Sequence, residues 1–331
     1  MKLLRRKFFW IFIVVVVLGW FLLSFRTTPA FVTYGVSFSR FHVDELKLDW
    51  LEVFSAIIND LGVRHFRFSA HWPLTEPGDG QYNFKELDYQ IGQVEKAGGS
   101  FILAVGRRLP GWPECHVPDW AKILTEEKQR EKIMQLLDKV VNRYKGSKAL
   151  KYWQVENEPF LGFFGRASCQ EPNEAFLRQE IELVRKIDPD HPVLVTDSGE
   201  FGTWYKAYRN GDVFGSSMYL YVWSRFFGPI RYPIGPSFFR VKQNLIDIFW
   251  GKKEKLLVEL SAEPWLLHPI VETDLETQFK RMNINKIEES IKFAQKTGFG
   301  EQYLWGAEWW YWLKKQGHPE FWDYAKPLFE R

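Results

Sequence analysis

A (β/α)8 barrel, the TIM-barrel class of α/β fold, is the architecture that the sequence predicts, on three observations. Short apolar segments of strand length alternate with longer amphipathic segments along most of the 331 residues. Several short segments, such as 101–105, are continuously apolar, which is typical of parallel strands covered on both faces. Long loops follow the strand carboxyl ends, where barrels carry their active sites. A doubly wound open sheet is the competing class, but no Gly-rich nucleotide motif follows the first strand.

The predicted strands and helices follow one another in order along the chain. The strands lie at 32–38, 63–69, 101–106, 150–156, 193–197, 213–219, 255–260 and 301–306. Amphipathic helical segments lie between or after them, at 44–61, 84–97, 119–144, 173–187, 237–250, 275–296 and 318–329. Gly98, Gly99 and Gly298 stand where helices are expected to end. The long loops are expected at 71–83, 107–118, 159–172 and, in a proline-rich stretch, 228–236.

The amino terminus is a separate segment. A basic flank, residues 1–7, precedes an uncharged apolar run at 8–25, which as a helix would span ~27 Å, close to a bilayer core. We therefore expect a single transmembrane signal anchor at 8–25, a linker at 26–30 and a barrel domain at 31–331 outside the cytoplasm. A cleaved signal peptide is the alternative, although such peptides usually have a shorter apolar region.

Charge and aromatic content narrow the class of ligand. Five of the 44 basic residues lie in the first 26 positions, which hold no acidic residue, so the remaining chain is nearly neutral and gives no support for nucleic-acid binding. The chain has 16 Trp, and a core does not readily absorb so many because each buried indole N–H needs a partner. Some of these rings belong to the core; others are expected to serve as flat platforms for sugar rings.

Two cysteines, Cys115 and Cys169, lie outside the predicted anchor. An oxidising compartment permits a disulfide between them. Sequence does not give their separation, so two unrelated thiols remain the alternative.

Two acidic clusters at predicted strand ends are the strongest chemical signal. The fourth strand leads into Asn157 and Glu158, and Pro159 stops it by removing a backbone N–H. Taken alone this is an ordinary turn, but about a hundred residues later the seventh strand ends near Glu259, with Glu263 four positions further on. Carboxyl groups on two strand ends can carry out glycoside chemistry. Glu259 is the preferred second acid, because Glu263 would lie at the strand end only if the strand continued four residues further.

Other strand ends supply candidate substrate contacts. Arg67 lies inside the apolar second strand, where a guanidinium is costly unless a carboxylate pairs with it. His71 and Trp72 follow the same strand, Tyr219 ends the sixth, and Trp305 ends the eighth. Trp309, Trp310 and Trp312 are expected to pack beneath a loop.

With these residues in barrel order, the chain resembles a clan A glycoside hydrolase, nearest to family 5 (cellulase-like). The resemblance covers the first strand to the eighth. It implies a retaining double displacement on a β-linked glycan, with Glu158 as acid/base and Glu259 as nucleophile. It further implies that Asn157 contacts the sugar 2-hydroxyl and that Arg67 and Tyr219 orient the nucleophile. Where the family has a small residue or glycine two positions after the nucleophile, Ser261-Ala262-Glu263-Pro264 follows here, so Glu263 remains a rival or a sugar ligand.

Three other functions stay open on sequence grounds. A membrane-tethered, non-catalytic carbohydrate-binding barrel needs no acid pair, and a transglycosylase shares the glycosyl-enzyme step. A metal-dependent hydrolase is disfavoured, because the 7 His include no His-x-His or HExxH spacing. We thus expect no metal or cofactor, an oligo- or polysaccharide substrate, a bilayer contact through 8–25, and a monomer.

Overall fold

Eight parallel strands close into a barrel in the computed structural model, which describes residues 2–25, 28–162, 169, 173–224 and 227–330. The strand order around the barrel is β1-β10-β9-β6-β5-β4-β3-β2, so the first and last strands pair, with Thr33 opposite Glu301. The strands are β1 (Thr33–Ser37), β2 (His65–Ser69), β3 (Ser100–Val105), β4 (Leu150–Val155), β5 (Val193–Asp197), β6 (Val213–Met218), β7 (Tyr221–Ser224), β8 (Gly228–Arg231), β9 (Lys255–Ser261) and β10 (Glu301–Trp305). The predicted (β/α)8 barrel is confirmed.

Helices surround the barrel, and side-chain caps fix where several of them begin. Thr125, Asn173 and Asp274 each accept a hydrogen bond from a backbone N–H in the first turn of the helix that follows. The helices are α1 (Lys2–Ser24), α2 (Arg40–Glu45), α3 (Trp50–Asn59), α4 (Trp72–Thr75), α5 (Lys85–Lys96), α6 (Glu126–Tyr144), α7 (Glu174–Ile187), α8 (Tyr205–Asn210), α9 (Pro236–Trp250), α10 (Leu275–Arg281), α11 (Ile284–Gln295), α12 (Ala307–Lys315) and α13 (Glu320–Ala325).

Capping residues divide two of the predicted helices. The segment 44–61 forms α2 and α3, because Lys47 has φ 56 and the Asp49 side chain accepts from the Leu51 N–H to start a new helix. The segment 275–296 is likewise interrupted, and the Asn283 side chain caps α11. Periodicity alone does not reveal such breaks, since both halves place their apolar residues on the barrel side.

The segment after the sixth barrel strand also differs from the prediction. In place of one long loop over 228–236, β7 and β8 form an antiparallel hairpin, with Tyr221 opposite Arg231. The hairpin is held to α11, because both the Tyr221 hydroxyl and the Arg231 guanidinium bond the Glu289 carboxylate. It stands at the end of the barrel where the carboxyl ends of the strands meet.

The predicted membrane anchor is not supported. Helix α1 covers the expected segment, but no helix in the described part of the chain combines the length and the apolar character needed to cross a bilayer. The carboxyl-terminal end of α1 instead contacts α9, where the Asn244 side-chain amide donates to the carbonyl oxygens of Leu23 and Phe25 at 2.6 and 3.1 Å.

The buried apolar residues of the barrel form two layers. The larger core lies between strands and helices, and a smaller cluster fills the barrel interior around Ile102, Leu256 and Tyr303. Gly35 makes room for this interior packing, because a Cβ there would lie 2.7 Å from the Tyr303 ring. Because apolar side chains fill the interior, we expect a ligand to bind at the rim formed by the carboxyl ends of the strands, where barrels carry their active sites.

A disulfide joins two of the rim loops. Cys115, in the loop after β3, bonds Cys169, in the loop after β4, across 54 positions of sequence. Cys115 also pairs with Arg108 in an isolated antiparallel bridge. The disulfide and the bridge together therefore fix the position of the loop after β3.

Replacing Cys115 and Cys169 together by alanine is expected to lower the free energy of unfolding by about 3–4 kcal/mol, because the cross-link restricts a long loop of the unfolded chain. Urea denaturation of both proteins, with and without a reductant, measures this. The double variant should not respond to the reductant. Equal midpoints for the wild type and the variant would contradict the expectation.

Candidate active site

A cavity of about 250 Å³ lies at the carboxyl end of the barrel. Glu158 and Glu259 both line it, so the structure brings together the two acids that the sequence singles out. Further carboxyl groups, aromatic rings and small polar side chains complete the described lining, among them Glu114, Ser198, Glu200, Phe201, Ser217, Tyr219, Trp223, Tyr232 and Trp265. Carboxyl groups combined with aromatic faces suit a sugar, which has a polar edge and an apolar face.

Strained backbone at the end of β4 turns Glu158 into the cavity. Glu156 and Glu158 have φ 58 and 43, and the turn is held by bonds from the Asn157 N–H to Arg108 O at 2.7 Å and from the Glu158 N–H to Thr196 Oγ1 at 2.8 Å. Left-handed conformation in non-glycine residues is costly and is concentrated at functional sites. The loop after β3 supplies one of these bonds and β5 supplies the other, so the two neighbours of β4 fix this turn.

Glu158 is placed to hold a proton. Burial, followed by the charges of Glu259 and Glu114, raises the pKa of Glu158 well above its usual value. The Ser217 hydroxyl donates to Glu158 Oε1 at 2.6 Å and opposes that rise by stabilising the ionised form. The raised pKa favours the protonated form of this carboxyl, which is the form that a general acid needs.

Glu259 lies in the opposite electrostatic environment. Arg67 Nη1 donates to Glu259 Oε1 at 2.6 Å, and the Tyr219 hydroxyl donates to Oε2 at 2.8 Å. Burial and the charge of Glu259 raise the pKa of Tyr219 well above its usual value, so the phenol stays a donor. Both carboxyl oxygens of Glu259 thus accept hydrogen bonds, one of them from a guanidinium, and these bonds fix the orientation of the group.

The Arg67 guanidinium also binds the neighbouring strand. Its Nε donates to Gln154 Oε1 at 2.7 Å and its Nη2 donates to Asn157 Oδ1 at 2.8 Å. Arg67 is 1% exposed, so each of these bonds compensates the burial of its charge. One side chain thereby links β2, the residues that precede Glu158, and the carboxylate of Glu259.

Glu263 has different partners. Its Oε1 accepts from Trp305 Nε1 at 2.7 Å, and its Oε2 lies 2.8 Å from His42 Nε2. Although burial disfavours a charged imidazole, the charge and hydrogen bond of Glu263, together with Glu45, raise the pKa of His42 well above its usual value. Both oxygens of Glu263 are therefore engaged, and Glu263 is not among the described residues that line the cavity. This favours Glu259 over Glu263 as the second acid.

Two predicted substrate ligands lie elsewhere. Trp72 is fully buried, its indole N–H donates to Glu76 Oε2 at 2.8 Å, and it is not among the described residues that line the cavity, so its contact with substrate stays a prediction. His71 is 2% exposed and packs edge-on against Phe41 and His116, away from the cavity lining. Trp305 is 8% exposed, with Glu263 bonded to its indole N–H.

The structure adds two carboxyl groups that sequence reasoning missed, Glu114 and Glu200. Burial, with a smaller contribution from the charge of Glu259, raises the pKa of Glu114 to about 7 against the opposing pull of Arg108. Burial likewise raises the pKa of Glu200 to about 7. Both residues follow carboxyl ends of barrel strands, and that position was the signal that could have identified them.

Metal coordination finds no support in the described residues. Within residues 2–25, 28–162, 169, 173–224 and 227–330, no group of three or more His, Cys, Asp or Glu side chains could hold a metal ion.

Comparison with solved structures finds glycoside hydrolases with a similar fold. The barrel matches the GH5_18 structure from Bifidobacterium longum subsp. longum with a TM-score of 0.59 and 14% identity, over 83% of this chain and 70% of that chain. It matches the GH42 β-galactosidase Gan42B from G. stearothermophilus with a TM-score of 0.55 and 15% identity, over 85% and 52% of the two chains. The chain resembles the clan A glycoside hydrolases. No protein-family model matches it.

Sequence comparison with curated clan A enzymes agrees. The chain is 25% identical over 122 residues to β-galactosidase LacA of Lactobacillus acidophilus, a match that spans 32% of this chain and 18% of that protein. It is 28% identical over 133 residues to endo-1,4-β-xylanase 2 of Claviceps purpurea, over 39% of each chain. The matched regions thus span well under half the length of these relatives, and the resemblance to clan A is confirmed at the level of fold and distant sequence similarity.

Replacing Ser217 by alanine is expected to raise the pKa of Glu158 further, because the lost hydroxyl stabilises the ionised carboxylate. Carbon-13 NMR titration of labelled glutamate side chains measures this, with the Glu158→Gln variant assigning the signal. Ser216→Ala is the matched control, since its hydroxyl donates to the Ser217 carbonyl and does not touch Glu158. A lower or unchanged pKa in Ser217→Ala would contradict this account.

Proposed function

We propose that this protein is a retaining glycoside hydrolase that cleaves β-linked glycans by double displacement. The observation that carries the proposal is the contrast between two acids lining one cavity: burial and neighbouring carboxyl charges raise the pKa of Glu158, whereas Glu259 accepts hydrogen bonds from Arg67 and Tyr219. Pairs of carboxyl groups whose surroundings separate their protonation states mark the acid and the nucleophile of glycosidases. The distant similarity to β-galactosidases and a xylanase supports the same reaction class.

In the first step, Glu259 attacks the anomeric carbon of the sugar while Glu158 gives its proton to the leaving oxygen. The bond to the leaving group breaks and a glycosyl ester forms on Glu259. As the ester forms, the negative charge at Glu259 disappears, so the electrostatic contribution to the raised pKa of Glu158 is removed. Glu158 has by then lost its proton and is suited to act as a base.

In the second step, the ionised Glu158 takes a proton from water, and the resulting hydroxide equivalent attacks the anomeric carbon and releases Glu259. A sugar hydroxyl in place of water would make the reaction a transglycosylation. Two inversions give net retention, and we expect the two carboxyl groups to stand ~5–5.5 Å apart in the substrate complex.

The remaining residues are assigned to substrate positioning. By resemblance to clan A, Asn157 is proposed to contact the sugar 2-hydroxyl, and its side-chain oxygen is already fixed by Arg67. Trp305 is proposed as a sugar platform and Glu263 as a hydroxyl ligand beside it. The disulfide between Cys115 and Cys169 supports an oxidising compartment as the site of action.

A mechanism-based 2-deoxy-2-fluoro-glycosyl fluoride should label Glu259, because the fluorine slows release of the glycosyl-enzyme more than its formation. Peptide mapping by mass spectrometry locates the label. Glu259→Gln should not be labelled and should lose on the order of 10³-fold or more in kcat. Glu158→Gln should lose about 10²–10⁴-fold with a poor leaving group and far less with an activated aryl leaving group.

Glu263→Gln is the matched control for the choice of nucleophile, since it removes a carboxylate four residues away. It should retain labelling at Glu259. A label on Glu263, or loss of labelling in Glu263→Gln alone, would reverse the assignment. Failure of the wild type to be labelled or to turn over any glycoside in a broad panel would instead support a non-catalytic carbohydrate-binding barrel.

A further inference from the structure

We propose that the cavity selects a glycoside whose sugar carries a free amino group, bound as its ammonium ion by Glu114 and Glu200. This inference names the substrate class and rests on the proposed function. It starts from the fact that the cavity contains more carboxyl groups than the double displacement uses.

Carboxyl groups outnumber basic groups around the cavity. Glu114, Glu158, Glu200 and Glu259 all line the cavity, whereas none of its described lining residues is Lys, Arg or His. Two guanidiniums lie close behind the lining: Arg67, which pairs with Glu259, and Arg108, 3.4 Å from Glu114. Burial raises the pKa of Glu114 and of Glu200 to about 7, so their negative charges are only partly compensated, and a cation in the cavity would favour the ionised form of both carboxyl groups.

The loop after β3 is built to bring Glu114 into this site. The Leu109 N–H donates to Glu114 O and the Glu114 N–H donates to Gly111 O, both at 2.8 Å, which closes a tight turn in which Glu114 has φ 74. The adjacent Cys115 is fixed by the disulfide to Cys169. A non-glycine residue in this conformation needs such support, and its side chain is 7% exposed at the wall of the cavity.

Glu200 approaches from the loop after β5. Its Oε1 accepts from the Tyr219 N–H at 3.0 Å, and in the described part of the chain its carboxylate forms no salt bridge. Lys242 donates to the carbonyl oxygens of Gly199 and Gly202 at 2.7 and 2.8 Å, and its charge is shared between Asp197 and Glu200. Glu200 is therefore a carboxyl without a full counter-charge.

An ammonium group on the sugar would compensate these carboxyl charges. A carboxylate without a counter-charge in a semi-enclosed cavity is disfavoured, and a ligand cation removes that cost while forming charge-assisted hydrogen bonds. The same carboxyl groups repel a uronic acid. The aromatic lining, including Trp223, Tyr232 and Trp265, can cover the apolar face of the ring and adds a favourable contact for a cation.

The test compares matched pairs of aryl β-glycosides that differ in one substituent. The pairs are glucoside with 2-amino-2-deoxyglucoside, galactoside with 2-amino-2-deoxygalactoside, and glucoside with 6-amino-6-deoxyglucoside; the glucuronide and the N-acetylglucosaminide serve as anionic and uncharged comparators. We expect at least one amino glycoside to exceed its hydroxyl partner by about tenfold or more in kcat/KM. High salt should reduce that ratio, and the glucuronide should be the poorest substrate.

Variants attribute the preference to the two carboxyl groups. Glu114→Gln and Glu200→Gln should each lower the ratio of amino to hydroxyl glycoside several-fold, since each keeps its shape and loses its charge. Glu276→Gln, a change on the exposed face of α10, is the control and should leave the ratio unchanged.

Two outcomes would overturn the inference. Equal or lower kcat/KM for every amino glycoside than for its partner, with the hydroxyl glycosides turned over, would refute the substrate class and leave the proposed function intact. An amino preference that both Gln variants retain would refute the role of these residues. Absence of turnover and of covalent labelling with every glycoside would refute the proposed function and this inference together.

Discussion

The buried ion pair between Arg67 and Glu259 is the interaction on which the rest of the site depends. Arg67 is enclosed by the barrel, and removal of one partner from such a pair leaves an uncompensated charge at a cost of about 3–5 kcal/mol. Because the same guanidinium bonds Gln154 and Asn157, it also fixes the segment that delivers Glu158. Orientation of the proposed nucleophile and placement of the proposed acid are thus consequences of one buried cation.

Around this pair, loops of adjacent strands hold strained backbone in place. The Glu156 carboxylate accepts from the backbone N–H groups of Arg107 and Arg108 at 2.8 and 2.6 Å, and it thereby joins the loop after β3 to the end of β4. The disulfide joins the same two loops further out. Well-anchored loops suit a site whose acid depends on burial, because an opening that admitted water would weaken the effect that raises the pKa of Glu158.

Sequence reasoning predicted the barrel and the acid pair because both leave local signals: apolar strand runs, and carboxyl groups where those runs end. It failed where the outcome depends on tertiary contacts. Trp72 and Trp305 both follow or end a strand, yet Trp72 turns into the core to bond Glu76 while Trp305 bonds Glu263. Glu114 lies in a loop whose closure depends on backbone bonds and a disulfide that no spacing reveals. The β7–β8 hairpin was not predicted because its strands are short and one of them begins beside a proline.

The stereochemistry of the product tests the central claim most directly, because double displacement on Glu259 and single displacement by water lead to opposite anomers. Proton NMR of the anomeric region, recorded in the first minutes of hydrolysis of an aryl β-glycoside before mutarotation, identifies the anomer released. The account predicts that the β-anomer appears first. Initial release of the α-anomer would show that water attacks the glycoside directly, and Glu259 could not then be the nucleophile.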